Sequence, residues 1–113
     1  MDDIIKRALL FDFYGELLTE HQQKIYSAAV CDDLSLSELS EEEGVSRQGI
    51  HDIIKRCDKI LSTYEEKLGL VDKFCHIKEK VSKIDGIVER EKNLSENVKT
   101  DIRNELKEII GEL

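Results

Sequence analysis

The sequence predicts an all-α protein. Apolar residues recur at spacings of three and four through most of the chain, Glu and Lys fill the positions between them, and the 113 residues include neither Pro nor Trp. With 40% hydrophobic and 37% charged residues, such a chain builds helices with long polar faces around a modest core, and no sheet is expected. Its length fits one compact domain, or a small domain with an extension. The patterning places a first domain over residues 1–62 and an amphipathic helical extension over 63–113.

The first helix is expected from about Asp3 to Leu17, with Ile4, Ile5, Ala8, Leu9, Phe11 and Leu18 as its apolar face. Phe11, Phe13 and Tyr14 read as core aromatics rather than stacking platforms, because no basic residues are interleaved with them. Thr19 restarts the chain: Thr19 and Gln22 have the spacing of a capping box, in which each side chain satisfies a backbone N–H near the other. Ile25, Ala28 and Ala29 carry the next apolar face, which ends near Asp32 and Asp33.

The stretch from Leu34 to Arg56 has the punctuation of a helix-turn-helix, with helices over about 35–43 and 46–61, the second able to extend through Tyr64. Leu36 and Leu39 share a face, Gly44 suits the left-handed conformation that ends a helix, Val45 can enter the core and Ser46 can cap the second helix. Beyond Ser46 the apolar residues Ile50, Ile53, Ile54, Cys57, Ile60 and Leu61 define an inward face. Arg47, Gln48, His51, Lys55 and Lys59 are thereby presented as candidate nucleic-acid-binding residues. In a competing reading, Arg47 and Lys55 form surface ion pairs with the acidic helix before them, each worth under about 1 kcal/mol.

From Tyr64 onward Leu68, Val71, Phe74, Cys75, Ile77, Val81, Ile84, Ile87 and Val88 repeat at helical spacing, with Gly69 and Gly86 as possible points of break or bend. Ser95 reads as the N-cap of a last helix whose single stripe is Val98, Ile102, Leu106, Ile109 and Leu113. Two such stripes need cover, from each other as an αα-hairpin, from the first domain, or from a second copy. Leu68, Val71, Ile84, Val88, Val98, Ile102, Leu106 and Ile109 are the candidate dimer or partner interface, and a homodimer is expected.

The formal net charge of −8 opposes binding to phosphate. Distribution relieves this in part. Asp32, Asp33, Glu38, Glu41, Glu42 and Glu43 lie in a stretch without a basic residue, whereas Arg47, Lys55, Arg56 and Lys59 outnumber Asp52 and Asp58 in the next helix. Weak or partner-dependent binding to DNA is the expectation. The chain carries no phosphate-cradling glycine loop, nucleophile elbow or His-Glu-x-x-His pair, so no catalytic residues and no cofactor are expected. Cys31, Cys57 and Cys75 are widely spaced and odd in number, which suggests buried thiols rather than disulfides or a metal site. The acidic start lacks the pattern of a secretory signal and no apolar run approaches a membrane span, so a cytoplasmic protein is expected.

Leu18 to Gln22 (LTEHQ), Leu34 to Leu39 (LSLSEL) and Gly44 to Gln48 (GVSRQ) resemble region 4 of bacterial sigma factors, a promoter-reading helix-turn-helix. Together with Leu10 to Tyr14 (LFDFY), Leu17 to Gln22, Val45 to Arg56 (VSRQGIHDIIKR) and Tyr64 to Leu68 (YEEKL), they resemble the bacterial YlxM family, also called p13-like, over roughly Leu9 to His76. The resemblance implies a sigma region 4-like helix-turn-helix of the winged-helix-like superfamily, without a clear wing, followed by two long C-terminal helices. It also implies a DNA-binding or regulatory protein, with Arg47, Gln48, His51, Lys55 and Arg56 at the family's candidate recognition positions. Asp52 belongs to the same pattern, although a carboxylate is not what a phosphate binder wants. Genes of this family sit beside those of the signal recognition particle, which implies a link to that pathway.

Two function classes are compatible with these features. In one the protein is a DNA-binding regulator, dimeric on a two-fold site. In the other the helix-turn-helix is a scaffold, and the acidic surface and C-terminal stripes make an adaptor for a protein or RNA component of the signal recognition particle.

Overall fold

A computed structural model describes residues Asp3–Leu113, and every regular element among them is helical. The elements are α1 (Asp3–Tyr14), a single 3-10 turn over Gly15–Leu17, α2 (Glu20–Val30), α3 (Leu36–Glu43), α4 (Arg47–Leu68), α5 (Leu70–Arg90) and α6 (Glu96–Gly111). They form two compact units that divide between Val71 and Asp72.

In the first unit α4 packs against each of α1, α2 and α3. Its buried stripe of Ile50, Ile54, Cys57 and Leu61 meets a core that also contains Leu10, Tyr14, Leu18, Ile25, Tyr26 and Leu39. Burying one such aliphatic side chain is worth about 1.5–3 kcal/mol, so this shared stripe, rather than the short helices' own propensity, holds α1 to α3 in place. The Thr19 capping box forms as expected: Thr19 Oγ1 accepts from the Gln22 N–H at 3.2 Å, and the Gln22 side chain accepts from the Thr19 N–H at 3.0 Å.

The first helix differs from expectation in its end and its inward face. It stops at Tyr14 and tightens into the 3-10 turn at Gly15, a poor helix former, before Leu18 becomes extended at φ −81°, ψ 159°. Ile4 and Ile5 are exposed, while Leu10 and Tyr14 are buried. The inward stripe carries side chains with polar tips, because partners for those tips arrive from α4. Arg7 donates to both carboxylate oxygens of Asp58, from Nε at 3.0 Å and Nη2 at 2.6 Å, and Tyr26 Oη donates to Asp58 Oδ1 at 2.6 Å. Burial, then the hydrogen bond to Asp58, raises the Tyr26 phenol well above its ordinary value.

The helix expected to end near Leu61, or to extend through Tyr64, continues to Leu68, because nothing between Ser62 and Leu68 breaks it; Gly69, at φ 63°, supplies the left-handed ending. The start of α5 is then capped from a distance. Tyr14 Oη donates to Glu65 Oε1 at 2.6 Å and accepts from the Leu70 N–H at 3.1 Å, and Glu65 Oε1 also accepts from the Val71 N–H at 3.0 Å. Two backbone donors that an α-helix leaves open at its N-terminus are thus satisfied. Burial, then the bond to Glu65, raises the Tyr14 phenol as well.

In the second unit α5 passes Gly86 without interruption, and Ser95 caps α6 by accepting from the Val98 N–H at 3.2 Å. Arg103 on α6 reaches Asp85 at 3.1 Å and also pairs with Glu89, both on α5. Val88 and Leu106 are the buried apolar side chains of this unit, while Ile84, Ile87, Val98, Ile109 and Leu113 stay exposed. Only one of the thiols expected to be buried is: Cys57 lies in the core, Cys75 is half-buried, and Cys31 is exposed. Cys31 is the C-cap of α2, past its last packed turn.

Candidate nucleic-acid interface

The turn between α3 and α4 is set by short-range hydrogen bonds. Ser35 Oγ accepts from the Glu38 N–H at 3.1 Å, while the Glu38 carboxylate accepts from the Ser35 N–H at 3.4 Å, a second capping box that fixes where α3 begins. At its end Gly44 adopts φ 64°, ψ 29°, and its N–H and that of Val45 both reach the Ser40 carbonyl. Ser40 Oγ donates to the Val45 carbonyl, closing the turn from its inner side. Ser46 Oγ accepts from the Gly49 N–H at 3.0 Å, so α4 starts capped at its first turn.

Gly49 matters for a different reason. A Cβ at this position would lie 2.6 Å from Val45 Cγ1. The lack of a side chain lets the turn residue pack directly on the first turn of α4, which fixes the angle at which that helix leaves the turn. Neither Ser40 nor Gly49 stands out in the sequence, where a mid-helix Ser and a helical Gly have no distinguishing pattern.

All six candidate residues, Arg47, Gln48, His51, Lys55, Arg56 and Lys59, are exposed on α4. Gln48, Asp52, Lys55 and Lys59 follow at i, i+4, i+7 and i+11 and form one stripe opposite the buried one. Among the described residues Arg47, Lys55, Arg56 and Lys59 make no ion pair, including with the acidic helix α3. The carboxylates near them are partly occupied elsewhere. Glu43, its side chain 10% exposed, lies 3.1 Å from the Lys24 ammonium and 3.8 Å from His21, both on α2. Asp58 is held by Arg7 and Tyr26. From Arg47 to Lys59 this leaves Asp52 as the exposed acidic residue. Asp52 is itself engaged, accepting from Gln48 Nε2 at 2.9 Å with His51 Nδ1 at 3.9 Å. The i,i+4 spacing of Gln48 and Asp52 is a signal that sequence reading could have used.

Such a face suits phosphates at its cations and hydrogen-bonding edges at Gln48, His51 and Asp52. The residues considered for a dimer or partner interface differ in exposure. Val71, Val88 and Leu106 are buried within the chain, Ile102 is half-buried, and Leu68, Ile84, Val98 and Ile109 are exposed. Between α5 and α6 a cavity of about 480 Å³ is lined by Val81, Leu106 and Ile110 with Lys78 and Lys107 among its polar residues. Among the described residues no His, Cys, Asp and Glu group is arranged to hold a metal ion, and no helix is long and apolar enough to cross a membrane.

Comparison with known proteins matches residues 1–107 to the family model UPF0122, described as "Putative helix-turn-helix protein, YlxM / p13 like". The chain is similar to a UPF0122 protein of Clostridium perfringens (strain 13 / Type A), at 42% identity over 98% of this chain and 99% of the relative. A UPF0122 protein of Clostridium novyi (strain NT) is 44% identical over 96% of this chain and 93% of its own length. One from Caldanaerobacter subterraneus subsp. tengcongensis is 47% identical over 74% and 71%.

Proposed function

Because the chain belongs to the UPF0122 family of YlxM / p13-like helix-turn-helix proteins, we propose that it is a non-enzymatic DNA-binding regulator that lays α4 in the major groove. The observation that carries this reading is the outward face of α4, where Arg47, Lys55, Arg56 and Lys59 stand exposed and without ion pairs on the second helix of a capped helix-turn-helix. These cations are placed for phosphates on either side of the groove, and Gln48 and His51 face the base edges between them. Glu41 and Glu42 remain exposed on α3 and weaken the contact, so affinity is low and rises with a second copy. The exposed Ile84, Val98 and Ile109 of the second unit supply the apolar surface for that homodimer, and sedimentation as a monomer at tens of micromolar would refute it. The protein works in the cytoplasm, where DNA is within reach.

The test is a fluorescence-anisotropy titration of wild type and an Arg47→Ala/Lys55→Ala variant against duplex DNA at low and physiological salt. Binding that falls by orders of magnitude with salt, and that the double substitution strongly weakens, is the expected result. Equal binding by both proteins would refute the reading.

A second reading is favoured by the net charge of −8. In it α3 and the C-terminal helices make an acidic adaptor for a basic partner, such as a protein of the signal recognition particle, or for its RNA, and the helix-turn-helix is a scaffold. Binding to the particle's protein or RNA by both proteins in the same titration, with no binding to DNA, would favour it.

A further inference from the structure

We propose that Gln48 and Asp52 form one base-reading pair whose carboxylate selects a cytosine amino group in the major groove. This rests on the DNA-binding reading above and specifies what α4 reads. The two residues sit one turn apart on the outward stripe, and the Gln48 amide donates to Asp52 Oδ1 at 2.9 Å. His51 Nδ1 approaches the same oxygen at 3.9 Å. Asp52 Oδ2 makes no hydrogen bond among the described residues, and neither does Gln48 Oε1. The pair therefore offers two acceptors to an incoming groove, at the N-terminal end of the helix where base contacts are made.

A carboxylate is a poor residue for a non-specific phosphate binder, since it repels the backbone on both walls of the groove. It gains only where a base supplies a donor. In the major groove guanine shows the acceptors N7 and O6 and thymine shows O4, and all of these oppose Asp52. Adenine and cytosine each carry an amino group. Beside the adenine amino group lies the N7 lone pair, which faces the second carboxylate oxygen; beside the cytosine amino group lies a C–H. Cytosine is the base on which Asp52 keeps its hydrogen bond without an opposed acceptor on the same base. Gln48, locked by Asp52, keeps one amide hydrogen and its carbonyl for the neighbouring base pair. Arg47, Lys55, Arg56 and Lys59 flank the pair and hold the backbone, so that Asp52 sets which sequence is tolerated rather than how tightly DNA is held.

The test is a selection from a random duplex library with the full chain as wild type, Asp52→Ala and Asp52→Asn, followed by titration on the selected site and on a version with one base pair reversed. Wild type is expected to fix a cytosine at one position and to lose on the order of 10- to 100-fold in affinity when that C·G pair becomes G·C. Asp52→Ala flattens the preference at that position alone. Asp52→Asn, which both donates and accepts, moves it toward adenine. The same base fixed by all three proteins overturns the proposal while leaving DNA binding intact, as does an equal gain in affinity for every sequence. Failure of wild type to bind any duplex at low salt overturns both the proposal and the reading on which it rests.

Discussion

Replacing Asp58 with Ala tests whether the first unit is held by the polar link that ties α1 and α2 to α4. Tyr26 is fully buried, and its hydroxyl donates at 2.6 Å to Asp58. Truncation takes from that hydroxyl its one acceptor, at about 1–3 kcal/mol. Arg7 loses both of its bonds, but its side chain is 39% exposed and that of Asp58 34%, so water replaces the carboxylate and the loss is under about 1 kcal/mol. The sum is about 1–4 kcal/mol, a large part of the roughly 5–15 kcal/mol of a small domain, and corresponds to a fall in Tm of roughly 5–30 °C. Urea unfolding followed by far-UV circular dichroism measures it. Tyr26→Phe removes the stranded hydroxyl together with its bond and should cost only about 1–1.5 kcal/mol. The double variant Tyr26→Phe/Asp58→Ala should therefore be less destabilised than the two single effects added, by about 1 kcal/mol. Strict additivity, or an Asp58→Ala protein within about 0.5 kcal/mol of wild type, would refute the assignment of the hydroxyl as the source of the cost.

Gly49→Ala gains up to about 1 kcal/mol of helix propensity but drives a methyl to 2.6 Å from the stiff Val45 side chain. Overpacking of about 1–3 kcal/mol outweighs the gain, and a net loss in urea unfolding is expected. The raised Tyr26 phenol gives a pH effect of definite sign: the folded state holds that proton more tightly than the unfolded state, so its contribution is complete below the unfolded value near pH 10 and is lost as pH rises beyond it. Stability should fall from about pH 10 upward, and less steeply in Tyr26→Phe. Leu106→Ala removes one of the buried side chains of the second unit and should cost about 2–3 kcal/mol in the unfolding of α5 and α6, read by hydrogen exchange in those helices. Arg47→Ala/Lys55→Ala, if both residues contact phosphate, should reduce the salt slope of DNA binding by about 2, read from titrations across a range of salt.

The parts of this molecule legible in the sequence are those fixed by local chemistry. Thr19 with Gln22, Gly44 and Ser46 each act on backbone within four residues, and each does what its side chain suggests. The outward placement of Arg47, Gln48, His51 and Lys55 follows from the strong apolar stripe beneath them. Tyr14 was legible as a core aromatic, but its bond to Glu65 and the inward turn of Arg7 toward Asp58 were not, because each depends on a residue 51 positions away. Ile4 and Ile5 outrank them in hydropathy yet remain exposed, since the polar partners offered by α4 set the rotation of the helix. The end of α4 was hidden for a related reason. A helix of 22 residues that begins as a helix-turn-helix and ends at the cap of α5 has no local mark where one role passes into the other.

The placement of charge bears on how an acidic protein can engage DNA at all. A net charge of −8 acts at long range, yet salt screens exposed charges beyond about 8–10 Å, so what a groove feels is the local set on α4. On α4 and at the end of α3 the fold withdraws two carboxylates: Asp58 is turned inward to Arg7 and Tyr26, and Glu43 to Lys24. The cations Arg47, Lys55, Arg56 and Lys59 of α4 are left without ion pairs among the described residues. A surface whose acidic surplus is screened at a distance and whose cations stand unpaired at contact would favour close docking over loose association, because only close docking brings those cations within reach of phosphate. On the DNA-binding reading proposed above, the affinity would then depend on contacts made at short range by Gln48, Asp52 and their neighbours.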